Sequence, residues 1–217
     1  MAYQTLEEQR ARLRTRLGYS AQAAAAGSMA VILDDFLSDA QVKLYWTHNW
    51  ARLRKYADAS VGADQHLIDY PVDANPERVS AISTLNGTRW SQPLRKGIAP
   101  QDYTTQNNKR EPTRWEPYAQ IELWPIADQL YSVRIFYVMA LGRFTQDTDR
   151  STIDNDLIFQ VALGMAKGHY RHPDAEIYLK QAESLLTQLK AKSWGKTIFN
   201  ANEYSPCEQE LAKPVVV

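Results

Sequence analysis

Apolar positions recur every three to four residues from about residue 5 to 56. They then recur every second residue between about 66 and 141, and return to three- and four-residue steps from 153 to 194. The first and last rhythms are those of helices with one buried face, and the middle one is that of strands. In the first block, Thr5-Leu6-Glu7-Glu8 is a capping box, with a hydroxyl at the cap and a carboxylate three residues later. It opens a helix carrying Leu6, Leu13 and Leu17 on one side, which Gly18 ends. An alanine-rich joint follows at 21–27. A second helix is predicted over 28–56, with Met29, Ile32, Leu33, Phe36, Leu37, Ala40 and Leu44 on its buried face. At about 1.5 Å per residue it would be roughly 40 Å long.

In the middle block the pattern predicts strands over 65–71, 78–85 and 118–124, the last stopped by Pro125. Asn86-Gly87 marks a hairpin whose return strand begins at Thr88, because both positions tolerate positive φ. Residues 96–110 read as a polar loop. The most apolar run, 129–141, is the expected central strand. The sum is an antiparallel meander of about five strands, a small sheet or partial barrel.

The third block opens on acidic and hydroxyl residues at 146–156, followed by an apolar helical run over 154–171. His172-Pro173-Asp174 breaks that run and starts a second helix over 174–193, so a helical hairpin is predicted. Residues 196–217 lose periodicity and end in three valines, which reads as an arm that orders on a partner. The predicted fold class is therefore α+β. N- and C-terminal helices form a bundle around an inserted antiparallel β-sheet or partial barrel, with an extended C-terminal tail. The expected divisions are 1–60, 61–145, 146–194 and 195–217.

Composition narrows the function. Lys and Arg balance Asp and Glu at a formal net charge of +0, which argues against sequence-independent DNA binding as the main task. No apolar run approaches the roughly 20 residues a membrane span needs. The N-terminus has no signal-peptide core, so synthesis in a cytosol is expected. Cys207 is the only cysteine and excludes an intrachain disulfide framework or a multi-cysteine zinc site. No nucleophile–base pair or paired acid and base emerges, so no enzyme and no cofactor is expected.

Each remaining cluster has a structural reading beside its functional one. Arg10, Arg12, Arg14 and Arg16 are a solvated helix face or a surface toward an anion such as DNA. Tyr45, Trp46 and Trp50 form an aromatic collar suited to a core or a protein contact. Trp90, Trp115 and Trp124 pack the sheet or form a carbohydrate-stacking platform. Lys109, Arg110 and Arg114 make a basic loop diluted by Glu111 and Glu116. The carboxylates of 147–156 lack the glycine and distal glutamate of a calcium loop, and instead suit a helix start. His169 and His172 lack a third metal ligand, and His48 has no evident partner, so no metal is expected.

With the blocks placed, the chain resembles the head-to-tail connector (adaptor) proteins of tailed bacteriophages, including the tail tubular A type. The resemblance covers about residues 5–194. It rests on the LDDFLSDAQVKLYW segment, on IELWP followed by a strand, and on the stretch from RFTQDTDRSTIDNDLIF to the helical hairpin ending QAESLL. It implies a structural virion protein at the phage neck, forming a homo-oligomeric ring, typically of twelve copies, beneath the portal. The ring would line the channel through which genomic DNA passes during ejection. The inserted strands would meet the next tail or nozzle protein, with Tyr45, Trp46, Trp50, Trp90 and Trp115 as inter-subunit or tail contacts. The arm, with Phe199, Tyr204, Pro206, Val215, Val216 and Val217, would bind the portal. Two other readings remain at this point: a carbohydrate-binding module built on the three tryptophans, and a DNA-binding or packaging protein using Arg10 to Arg16.

Overall fold

The computed structural model of the chain describes residues 4–19, 27–104 and 108–193. They form a mixed α+β fold of four α-helices and a curled sheet system, a half-barrel. The described residues up to Leu53 and from Leu141 onward make a compact helical unit, and Arg54–Ala140 make a sheet unit. The predicted tail lies outside the described residues.

In the helical unit, α1 is Leu6–Arg16, α2 is Gly27–Thr47, α3 is Asn155–His169 and α4 is Ala175–Ser193. The capping box at Thr5 forms as predicted: the Glu8 amide donates to the threonine hydroxyl at 3.3 Å, and the Thr5 amide donates to the Glu8 carboxylate at 3.0 Å. Gly18 follows the C-cap with φ +83°, a conformation that costs glycine little. Helix α3 is the centre. Leu157, Ile158, Phe159, Val161, Ala162, Leu163, Gly164 and Ala166 are all buried, and α3 touches each of the other three helices. Helix α2 supplies Leu33, Leu37, Ala40 and Leu44 to this core, on the face its periodicity predicted. A Cβ on Gly164 would lie 2.6 Å from Leu179 Cδ2, so the glycine is what lets α4 approach α3 closely. Gly168 has nothing near it and plays no such part.

The expectation of a helix running to residue 56 is corrected. Helix α2 stops at Thr47, after 21 residues. The Trp50 indole N–H donates to the Leu44 carbonyl at 2.9 Å, satisfying one of the terminal carbonyls that the helix leaves open. A single turn at Ala51–Leu53 leads directly into a strand.

That strand, β1 (Arg54–Val61), opens the sheet unit. The others are β2 (Leu67–Ile68), β3 (Ala74–Asn86), β4 (Arg89–Trp90), β5 (Arg95–Lys96), β6 (Arg114–Pro117), β7 (Ile121–Trp124) and β8 (Tyr131–Met139). One sheet runs β1-β8-β3-β4, with β8 between two partners as its apolar sequence predicted. The second runs β2-β7-β6-β5. All pairings are antiparallel except β5 with β6, which is parallel and departs from a simple meander. Residues 95–96, expected in or beside a loop, pair with Arg114 and Trp115.

The hairpin at Asn86-Gly87 forms one residue later than its motif suggests. Asn86 pairs with Arg89, so Gly87 and Thr88 are the central residues. Only Gly87 has positive φ, at +61°, the pattern of a turn with glycine first. Pro76 lies where β3 loses its register with β8, between Ala74 and Val79, as a residue without an N–H requires. Alternate residues of both sheets meet in one core: Val61, Ile68, Ile82, Leu94, Trp115, Ile121, Leu123, Tyr131, Val133, Ile135 and Tyr137.

Candidate functional site

Among the described residues no group of three His, Cys, Asp or Glu side chains is placed to hold a metal ion, and no helix is long and apolar enough to cross a membrane. The carboxylates of the acidic segment have structural tasks. Asp154 caps α3, accepting from the amides of Asp156 and Leu157 at 3.1 and 3.0 Å. Asp149 accepts from the amides of Thr145 and Gln146, and those bonds hold its carboxyl below the usual range. His169 stacks edge-on against Phe36 and Tyr170.

The perturbed acids elsewhere are held by partners on neighbouring strands or helix ends. Lys55, and then the Tyr137 hydroxyl, lower the Asp73 carboxyl, and in return burial and Asp73 push the tyrosine up to about 12. The Arg134 guanidinium lowers Asp58 through a bidentate pair at 2.7 and 2.8 Å. Lys167 lowers Asp174 across the α3–α4 turn. These are joints of the scaffold.

The four N-terminal arginines do not share one role. Arg10, its side chain 14% exposed, bridges Asp34 on α2 and Asp147 ahead of α3, both at 2.6 Å. Arg12 pairs with Asp156 at 2.7 Å and lies 4.0 Å over the Phe159 ring. Arg14 has a buried Nε with no hydrogen-bond partner, and Arg16 is exposed. Two of the four are therefore engaged inside the helical unit, which weakens the reading of a surface toward an anion such as DNA.

The aromatic residues divide in the same way. Tyr45, Trp50 and Trp115 are buried within their own units, while Trp46 is 54% exposed. Trp90 is half-buried, with the Arg134 guanidinium 4.3 Å over its ring and the same cation 4.4 Å over Tyr56. Trp124 is buried beside Tyr103. With Trp115 and Trp124 inside the sheet unit, the three tryptophans present no common stacking platform for a sugar. Lys109 of the basic loop pairs with Asp64 at 2.5 Å, and Arg114 pairs with Asp102 at 2.9 Å. The expected portal-binding residues Phe199, Tyr204, Pro206 and Val215 to Val217 lie outside the described residues.

What the helical unit does offer is apolar surface that its own helices leave uncovered. Helix α4 buries Ala182 fully, but Leu179, Leu185, Leu186 and Leu189 are only partly covered and Ile177 is 57% exposed. On α2, Val31 and Ile32 are exposed beside Asp35, and Trp46 lies further along. The sequence pattern placed Ile32 on the buried face of its helix. Periodicity finds a helix's apolar side, but it does not say which neighbour covers it.

A family model described as SU10 adaptor protein matches residues 1–202. No curated protein matches the chain. The match takes in both helical segments and the whole sheet unit, so the chain belongs to the SU10 adaptor protein family and has the structural role of a phage head-to-tail adaptor.

Proposed function

We propose that this adaptor forms a ring, of twelve copies by its resemblance to connector proteins, seated between the portal and the tail at the virion neck. The observation that carries the reading is the uncovered apolar surface of α4 and α2. A heterologous ring joins two different faces of each subunit and closes by rotation. Ile177 and Leu185 on α4 fit one face, and Val31, Ile32 and Trp46 on α2 fit another. Tyr45 and Trp50 then serve as the support beneath such contacts. Trp90, on the sheet unit, is a candidate contact to the next tail protein, with Trp115 behind the same unit's surface. Residues 195–217 are the portal-binding arm, led by Phe199, Tyr204, Pro206 and the three terminal valines. Zero formal net charge suits a channel that lets DNA slide, with the exposed Arg16 as the cation nearest to an anion-facing role. The protein carries no reaction in this reading, and needs no cofactor.

Mixing purified protein with portal rings and imaging by electron microscopy tests the proposal. A second ring stacked on each portal is expected; portals that stay bare at saturating protein reject it. Truncation after residue 195 is expected to leave folding intact and abolish this binding.

A further inference from the structure

The three other helices of the unit are joined by apolar packing or by the tight α3–α4 turn, but α1 is held differently. Of its eleven residues only Leu6, Gln9 and Leu13 are buried, and one of those is an amide. Its remaining hold is polar. Arg10 binds Asp34 and Asp147, Arg12 binds Asp156 and covers Phe159, and Gln9 reaches Asn155 at 3.4 Å. Backbone bonds from Leu6 and Glu7 to Asp149 and Asp147 pin the first turn only. Gln9 Oε1 and Arg14 Nε on α1 are also buried without a protein hydrogen-bond partner, a state that costs stability. By contrast, α3 buries eight of its fifteen residues, only one of them other than a side chain of the apolar class (Gly164).

We propose that α1 is a salt-sensitive latch. It lifts from α2 and α3 while the other three helices stay folded, and it bares the Phe159 ring and releases Asp34, Asp147 and Asp156 from their arginines. Dissolved salt screens the exposed part of the three ion pairs, whereas it leaves apolar burial in the α2–α3–α4 core undiminished.

Hydrogen exchange of the full-length protein, read by mass spectrometry across a sodium chloride series, tests this. Between about 0.05 and 1 M salt, exchange in 9–17 is expected to rise about tenfold relative to 157–166. Arg10→Ala should reproduce that rise at low salt, and Arg10→Lys should reverse part of it. Equal changes in α1 and α3, or no response of α1 to salt, would overturn the proposal. The salt series on the unaltered protein decides the matter even if the Arg10 variants fold poorly.

Discussion

The sheet unit is made from one stretch of chain and the helical unit from two, and the two units differ as much in how completely they enclose their apolar residues. In the sheet unit two sheets face one core, in which Ile82, Ile121, Leu123, Val133 and Ile135 have at most 1% of their surface exposed. In the helical unit only α3 is enclosed. Its partner α4 carries four partly covered leucines, and α1 is tied on mainly by ion pairs. A core that is finished within one chain stabilises that chain. Apolar positions left half-covered on a long helix fit the proposed assembly, in which a neighbour would complete their burial. Family membership and this division of labour point the same way.

The contrast can be broken most severely in the finished core. Ile135→Ala removes a fully buried side chain from the central strand β8 and should destabilise the protein by about 2–5 kcal/mol in urea melts. Circular dichroism should show strand signal lost before helix signal. Gly164→Val tests the tight α3–α4 joint of the helical unit. Its new atoms would meet Leu179, and a loss of about 1–3 kcal/mol is expected in the same melts. Arg10→Ala removes two charge-assisted contacts from a partly exposed site, so a smaller loss of about 1–2 kcal/mol is expected. Leu185→Ser sharpens the comparison from the other side. It should cost the free chain less than about 1 kcal/mol, while ring assembly on portals is lost.

The mildest effect is that of acid. Asp58, Asp73, Asp149 and Asp174 all have folded pKa values below the ordinary carboxylate value. Their contribution is therefore complete above the unfolded pKa near 4, and is lost as pH falls through the lower folded values. Melting temperature should stay level from neutral pH down to about 5 and decline below it. Asp149→Asn should soften that decline, since its partners are two backbone amides and one hydroxyl.

Much of this was legible in sequence because it is local. The Thr5–Glu8 box, the Asp154 cap, the break at His172-Pro173-Asp174 and the apolar run of β8 each depend on residues within a few positions of one another. What the pattern missed is non-local. Strand β1 has no clean alternation of buried and exposed positions, and it exists because eight of its residues pair with β8, seventy or more positions away. Strands β5 and β6 are two and four residues long, too short for a period to register. The candidate surface was half legible. The apolar face of α4 was visible as spacing, but its incomplete coverage by α3 depends on the tertiary fold, and so does the burial of Tyr45, Trp50 and Trp115.

The claim that neighbours finish the helical unit is tested most directly by hydrogen exchange of the free chain against the same chain assembled on portal rings. The account predicts that amides of α4, 177–190, become protected on assembly while those of β8, 131–139, exchange as before. Rings that form with α4 exchanging at its free-chain rate would contradict it.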